Sequence, residues 1–214
     1  NKPEKINFYY HYSPYGKWWD KLQTIPNLKL IKVDIPEFIG EKKINHVAHK
    51  ADIIRMNKLY ELGGIYLDID TISVRSYKHL LNNDVVLGYE MNNDIICNAI
   101  MMTKPRSKFF KIWLENYESH FETFGWGEAS IILPGKLYKK HKNLATVLDE
   151  KVFFRPYAFN LEDIFVNKKD IPKELITLHL WESYSLKYLK NIKDWNWGKE
   201  NSHTMYGKIM NNIK

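Results

Sequence analysis

Two aspartates separated by one residue, Asp68 and Asp70, are the residues of this sequence best suited to chemistry. They follow a short apolar run over residues 65–67, which predicts a strand. Because side chains alternate along a strand, both carboxylates are expected to point one way and Ile69 the other. Ligands of open α/β sheets collect beyond the carboxyl ends of strands, where paired carboxylates suit Mg²⁺ or Mn²⁺ carrying a phosphate. The alternative is a solvated aspartate pair in a turn.

A second charged pair, Asp52 and Arg55, lies on the helix predicted over residues 46–62. A spacing of three residues puts both side chains on one helical face. The same face carries Leu59 and Leu62 and is therefore expected to be buried. A buried charge needs a partner, or it costs several kcal/mol. Two interpretations stay open: the pair is purely structural, or it reaches past the strand end to hydrogen-bond a polar ligand.

The remaining pattern alternates strands with helices and predicts an α/β layered domain. A loop is predicted over residues 36–43, and Gly63 and Gly64 are expected to end the long helix. The predicted strands cover residues 6–10, 28–33, 65–67, 85–89, 99–103, 152–156 and 176–180. The predicted helices cover residues 17–22, 46–62, 107–120 and 129–140, the last interrupted at Pro134 and Gly135.

Composition indicates one globular domain over residues 1–214, or one domain of a longer protein. The sequence shows neither an apolar run long enough to span a membrane nor a signal-peptide pattern. The single cysteine, Cys97, excludes an internal disulfide, suggests a reducing compartment and is expected to be buried. The net charge of +7 favours an anionic ligand or surface, while no nucleic-acid motif is present. We therefore expect a cytoplasmic location, with peripheral membrane contact through the basic surface.

The segment from residue 52 to residue 70 also carries a spaced motif. In order it consists of Asp52, Arg55, Leu59-Tyr60, Gly63-Gly64 and Ile65-Tyr66-Leu67-Asp68-Ile69-Asp70. This motif resembles the sugar-binding region with a D-x-D motif in glycosyltransferases of the family 32 type, which include capsular-polysaccharide-synthesis-like proteins. It is also similar to the glucosylating domains of large clostridial toxins. The resemblance implies a GT-A fold: a single Rossmann-like nucleotide-sugar-binding domain with a mixed central sheet flanked by helices. It further implies Mn²⁺ or Mg²⁺ and a nucleotide-sugar donor, with a UDP-sugar favoured.

The resemblance assigns roles within this motif. Asp52 and Arg55 would hold hydroxyls of the donor sugar and ribose. Asp68 would contact the sugar or ribose and the metal's water shell, and Asp70 would bind the metal directly. These two aspartates are the expected catalytic residues, and Tyr66 is placed among the residues that bind the donor.

Weaker similarities flank the motif. Tyr10, followed by His11, stands at the end of the first predicted strand, where the family has an aromatic residue that packs on the base. Asn98 falls on a strand that flanks the donor sugar in the family. Residues 125–130 fall where the family often has a Thr-Gly-Pro turn, so this departure leaves the acceptor side unassigned.

Near the C-terminus the resemblance implies three more site residues. His179 would be a metal ligand, since imidazole also suits Mn²⁺, and its alternative is a structural histidine at a strand end. Ser183 and Tyr184 would touch the β-phosphate, with Tyr184 in place of the family's Trp and the spacing one residue shorter.

The implied reaction is glycosyl transfer from a nucleotide-sugar to a hydroxyl of a glycan or lipid-linked acceptor. A metal and basic groups would stabilise charge on the leaving diphosphate. The resemblance favours retention of configuration, which needs no dedicated base. Asp94, Glu128 and Asp163 are the carboxylates considered for an inverting enzyme, and none is assigned.

Two other functions compete. The sequence Asp68-Ile69-Asp70-Thr71 also fits the opening motif of haloacid-dehalogenase-type phosphatases, with Asp68 as nucleophile and Asp70 as acid/base. That scheme needs a later acidic pair, for which Glu162-Asp163 is the nearest candidate. The second competitor is a non-catalytic carbohydrate-binding module, since the chain has 7 Trp and 14 Tyr that could stack on sugars.

Overall fold

The computed structural model describes residues 1–91 and 94–212. The strands are β1 Ile6–Tyr10, β2 Leu28–Lys32, β3 Phe38–Ile39, β4 Lys42–Lys43, β5 Gly64–Leu67, β6 Thr71–Ser73, β7 Val85–Met91, β8 Ile95–Thr103, β9 Thr146–Leu148 and β10 Thr177–His179. The α-helices are α1 Lys17–Leu22, α2 Val47–Leu62, α3 Lys108–His120, α4 Leu133–Lys140, α5 Glu162–Phe165, α6 Glu182–Leu189, α7 Asn196–Glu200 and α8 Met205–Asn212. A π-helix spans Glu128–Ile132, and short 3-10 helices span Lys78–Leu80, Lys142–Leu144, Glu150–Val152 and Ala158–Asn160.

The largest sheet has four strands in the order β5-β8-β7-β9. Strand β8 runs antiparallel to both β5 and β7, whereas β9 runs parallel to β7, so the sheet is mixed. Smaller two-stranded sheets pair β1 with β2, β3 with β4, and β6 with β10. A mixed sheet flanked by helices confirms the predicted α/β architecture of the GT-A type. Among the described residues, no helix has the length and apolar character required to span a membrane.

The core lies between the four-stranded sheet and the helices α2 and α3. Trp113 of α3 is fully buried, and its indole N–H donates to the carbonyl of Ala129 over 2.8 Å. Met56 of α2 and Met101 of β8 are also 0% exposed. Large apolar side chains therefore pack α2 against the sheet. This packing sets the orientation of the polar residues of α2, Asp52 and Arg55.

The long helix α2 agrees with the prediction, but the burial of its last turn does not. Leu59 is 5% exposed as expected, whereas Leu62 is 57% exposed, so the expectation that Leu62 is buried was wrong. The helix ends at Leu62 and is capped by Gly63, whose φ of 65° suits glycine. The chain then turns sharply into β5, which leaves the terminal Leu62 outside the core.

Three further local predictions were wrong. The predicted strand over 152–156 is instead the end of a 3-10 helix and a turn, in which Phe153 and Phe154 are buried without strand pairing. Pro134 does not interrupt its helix but lies in the first turn of α4, where the missing N–H costs no intrahelical bond. The loop predicted over 36–43 contains the hairpin β3–β4 around Gly40, whose φ is 57°. Cys97 is buried as expected.

Candidate active site

The two aspartates lie in a turn between β5 and β6. Strand β5 already ends at Leu67, so alternation along a strand does not orient Asp68 and Asp70, and that part of the prediction was wrong. The turn is closed by two bonds: the Asp68 N–H donates to the carbonyl of Ala99 over 2.8 Å, and the Thr71 hydroxyl donates to the Asp68 carbonyl over 2.7 Å. The conformation of this turn, and not alternation along a strand, therefore places the two carboxylates close together.

Strand pairing adds a histidine to this point. Strand β6 pairs with β10 so that Thr71 faces His179, directly beside Asp70. Single ligand atoms of Asp68, Asp70 and His179 all lie within 4.8 Å of one another. Nε2 of His179 is 3.4 Å from Oδ1 of Asp70, while its buried Nδ1 has no hydrogen-bond partner in the described structure. Two carboxylates and an imidazole form a donor set that suits Mn²⁺ and is compatible with Mg²⁺.

The Asp70 carboxylate is held from two sides. The backbone N–H of Glu182, the first residue of α6, donates to Oδ2 of Asp70 over 2.8 Å. Burial raises the pKa of the Asp70 carboxyl, but His179 and the Glu182 N–H lower it, and the net shift of the pKa is downward. Asp70 is therefore favoured in the ionised form that a cation requires.

The helix α2 contributes a polar network beside the turn. Arg55 lies 3.5 Å from Asp52 through Nε and 3.1 Å from Asp68 through an Nη atom, and the same Nη donates to Asn98. The Asn98 amide donates to Asp52 over 2.7 Å. The structural interpretation of the Asp52–Arg55 pair is confirmed, since Arg55 contacts both Asp52 and Asp68, whereas the role of the pair towards a ligand stays a prediction. Burial raises the pKa of Asp52, while Arg55 and Asn98 oppose the rise.

Tyr66 completes this network. Its hydroxyl donates to Oδ1 of Asp68 over 2.5 Å, and its ring lies 4.6 Å from the Arg55 guanidinium carbon. Arg55 thus touches two carboxylates and one aromatic face while only 8% exposed. The arrangement fixes the Asp68 carboxylate before any ligand arrives, which lowers the ordering cost of binding.

A cleft of about 130 Å³ opens along this network. It is lined by residues of α2, the D-x-D turn, β8 and the segment around the π-helix: Ala48, His49, Asp52, Arg55, Asp68, Asn98, Trp126, Ser130 and Ile131. Four polar residues of this lining, Asp52, Arg55, Asp68 and Asn98, were predicted as site residues from the sequence. His49, Trp126, Ser130 and Ile131 were not predicted, although an aromatic residue between two glycines, Trp126, is a feature of the sequence that could have indicated them.

The other predicted site residues lie outside this cleft lining. His11 donates from Nδ1 to the carbonyl of Val33 over 2.9 Å, and the Tyr10 ring packs edge-on at 5.7 Å from the ring of Trp19. Ser183 and Tyr184 lie in the first turn of α6, where Tyr184 is 67% exposed. Their roles towards a base or a phosphate stay predictions.

The carboxylates considered as bases occupy separate places. Asp94 pairs with Lys139, and Asp163 pairs with Lys169 at 3.3 Å, both outside the cleft lining. Glu128 lies on the π-helix and lines a small adjacent void of about 10 Å³. None of the three belongs to the Asp68–Asp70–His179 cluster found among the described residues.

Comparison with known proteins identifies the class. Residues 4–87 match the family described as "Glycosyltransferase sugar-binding region containing DXD motif". These residues belong to the DXD-containing glycosyltransferases. The match covers Asp52, Arg55 and both motif aspartates, and it does not favour the phosphatase or the carbohydrate-binding module.

Relatives support the same class. The chain is 35% identical over 205 residues to glucan organizing enzyme 1 of Cryptococcus neoformans var. grubii, covering 89% of the chain and 55% of the relative. It is 21% identical over 195 residues to human lactosylceramide 4-alpha-galactosyltransferase, covering 77% of the chain and 54% of the relative. The chain therefore spans about half the length of these curated relatives. No solved structure matches it significantly.

Proposed function

We propose that this chain catalyses metal-dependent transfer of a hexose from a nucleotide-sugar, with a UDP-sugar favoured, to a hydroxyl of a glycan or glycolipid. One observation carries the proposal. The ligand atoms of Asp68, Asp70 and His179 converge within 4.8 Å at the edge of a cleft lined by Arg55 and Asn98. A cation bound by these three side chains would therefore lie next to a sugar bound in the cleft.

The metal would be Mn²⁺ or Mg²⁺, held by Asp70, Asp68 and His179. The donor set fits, since Nε2 of His179 lies 3.4 Å from Oδ1 of Asp70 and the ligand atoms of all three side chains lie within 4.8 Å of one another. When bound, the ion would neutralise charge on the diphosphate leaving group. The residues themselves supply orientation: Glu182 holds Asp70, while Tyr66 and Arg55 hold Asp68.

The donor sugar would occupy the cleft. Asp52, Arg55 and Asn98 present fixed donors and acceptors there, and the described lining is mostly uncharged apart from this network. Sugar hydroxyls pair with such groups in both directions, because a hydroxyl donates once and accepts twice. We infer that Asp52 and Arg55 hydrogen-bond the hydroxyls of the transferred sugar, and that Tyr10 and Tyr184 contact the nucleotide part of the donor.

The acceptor class comes from the relatives' names, of which one refers to glucan and the other to lactosylceramide. We propose a saccharide hydroxyl as the acceptor, on a glycan or on a glycolipid. Contact with an anionic membrane surface, favoured by the net charge of +7, would bring a lipid-linked acceptor within reach.

The test is donor turnover with and without metal. The purified chain is incubated with UDP-glucose, UDP-galactose, UDP-N-acetylglucosamine or GDP-mannose, and nucleoside diphosphate release is measured with Mn²⁺ or with a chelator. We expect release from one donor family, only with metal, and its loss in Asp70→Asn. Asp84→Asn, an exposed aspartate paired with Lys104, is the matched control and keeps activity. No metal-dependent release from any donor, alone or with saccharide acceptors added, would contradict the proposal.

A further inference from the structure

The cleft continues past the proposed donor residues onto surface that the metal cluster does not use. Asp52, Arg55, Asp68 and Asn98 form one part of its lining. The other part comes from the start of α2 and from the π-helix segment, namely Ala48, His49, Trp126, Ser130 and Ile131. Tyr10 and Tyr184, the residues expected at the nucleotide, lie outside this lining. The second part therefore adjoins the sugar end of the proposed donor.

Trp126 is the dominant feature of that second part because it is exposed and held in place. Its side chain is 62% exposed, yet its carbonyl accepts a hydrogen bond from Nε2 of His49 over 2.9 Å. The rings of His46 and His49 each lie 5.7 Å from the indole. An exposed indole whose backbone is anchored by a hydrogen bond offers apolar contact area to a ligand.

The backbone around Trp126 is also closely packed. A Cβ added to Gly125 would lie 2.8 Å from the Cβ of Glu122, and one added to Gly127 would lie 3.0 Å from Cδ1 of Ile131. The Gly127 carbonyl accepts the N–H of Ile131 over 2.8 Å at the start of the π-helix Glu128–Ile132. Short π-helical turns are rare and frequently occur at functional sites. Two glycines and an unusual turn thus fix how this segment meets the cleft.

A buried polar atom at the same place lacks a partner. His49 is 4% exposed, and its Nδ1 has no hydrogen-bond partner among the described residues. Since Nε2 donates to the Trp126 carbonyl, Nδ1 of the neutral ring is an acceptor, and an unsatisfied buried acceptor is costly. The atom is enclosed from solvent, and His49 also lines the adjacent void of about 10 Å³, which is the size of a single water.

We propose that Trp126 is the acceptor subsite: a sugar ring of the acceptor stacks on the indole and directs its hydroxyl into the cleft beside Asp52. The proposal rests on the transferase function and deepens it by assigning the surface on which the saccharide acceptor binds. The chemistry favours this occupant. A sugar ring presents apolar C–H groups to an aromatic face, and the neighbouring Ala48 and Ile131 are uncharged. A diphosphate would instead be drawn to a cation.

The first test observes the indole directly. The chain is labelled with 5-fluorotryptophan, and Trp126→Phe assigns one of the 7 tryptophan ¹⁹F resonances. Methyl glycosides of glucose, galactose, mannose and N-acetylglucosamine, together with lactose, are titrated without metal or nucleotide. We expect a saturable shift of the Trp126 resonance with at least one saccharide. A shift with none of them, or a shift that follows only a UDP-sugar, would overturn the proposal.

The second test uses that saccharide as acceptor with Mn²⁺ and the active UDP-sugar. We expect Trp126→Ala to raise the acceptor KM roughly tenfold, while the donor KM stays unchanged and Trp126→Phe recovers most of the loss. Phe124→Ala removes a neighbouring aromatic that is 90% exposed and outside the cleft lining, and it should have no effect. A raised donor KM in Trp126→Ala would assign the indole to the donor instead. Failure of the transferase function would appear separately, as a wild-type chain that does not turn over any UDP-sugar.

Discussion

The backbone N–H of Glu182 donates to the Asp70 carboxylate across 112 residues of sequence. The Leu180 N–H also donates to the Asp70 carbonyl over 2.8 Å, so the segment entering α6 is fastened to the D-x-D turn at two points. Any ligand that binds Asp70 acts on one end of this connection. The start of α6 therefore helps to position the Asp70 carboxylate.

This coupling predicts a change in hydrogen exchange. Binding of Mn²⁺ with UDP should order the turn and slow amide exchange in α6, because local opening of α6 releases the Glu182 bond. Exchange in α3, which lies in the core, should not change and serves as the internal control. Mass spectrometry of peptides from both helices measures the effect. Equal protection of both helices would indicate global stabilisation instead of this connection.

Replacing Arg55 should destabilise the fold as well as the site. Arg55→Ala leaves Asp52 buried beside Asp68 without its cation, and breaking such a buried pair costs about 3–5 kcal/mol of unfolding free energy. Lys58→Ala on the same helix removes a largely exposed bridge to Glu61 and should cost under about 1 kcal/mol. Urea denaturation compares the two variants. Similar losses would show that the Arg55 network does not stabilise the fold.

Alanine substitutions at two neighbouring glycines distinguish the cost of backbone strain from the cost of a steric clash. Gly63 and Gly64 both have positive φ, at 65° and 108°. A Cβ on Gly63 would lie 2.6 Å from Cδ of Pro105, whereas a Cβ on Gly64 meets nothing within 4 Å. Gly64→Ala should therefore cost only backbone strain, about 1–2 kcal/mol, and Gly63→Ala clearly more. Thermal or urea unfolding ranks them, and the reverse order would refute the packing of this turn.

His179 is predicted to act on metal affinity more than on folding. His179→Ala should raise the Mn²⁺ concentration needed for half-maximal activity about tenfold or more, because one of three ligand side chains is removed. The exposed His203 supplies the control variant His203→Ala, with no expected change. An unchanged Mn²⁺ requirement in His179→Ala would remove the histidine from the proposed site and leave the two aspartates.

The sequence predicted the motif half of the site because that half is local. Asp52 and Arg55 lie on α2 and Asp68 lies in the turn after β5, so spacing put Asp52 and Arg55 on one helical face and the resemblance of the whole motif added Asp68. The proximity of His179 to Asp70 could not be predicted from local spacing, because it depends on pairing between β6 and β10. Strand β6 has only three residues and no strong sequence pattern. Only the family resemblance suggested that histidine.

The far side of the cleft escaped prediction for a different reason. Trp126 and Ser130 lie in a segment whose sequence departs from the family's turn, and π-helical geometry has no simple periodic signal. The strand predicted over residues 152–156 was wrong for a related reason. Phe153 and Phe154 are fully buried although they lie in a turn, and an apolar run in the sequence does not distinguish a buried turn from a buried strand.

The most direct test of the account is calorimetric titration of UDP with and without Mn²⁺. For the wild type and for Asp84→Asn, we expect Mn²⁺ to strengthen UDP binding at least tenfold. In Asp70→Asn, whose side chain has a similar shape but no charge, that enhancement should disappear while the unfolding midpoint stays near that of the wild type. UDP affinity that is independent of Mn²⁺ in the wild type, or an enhancement that survives in Asp70→Asn, would contradict the metal-dependent donor site.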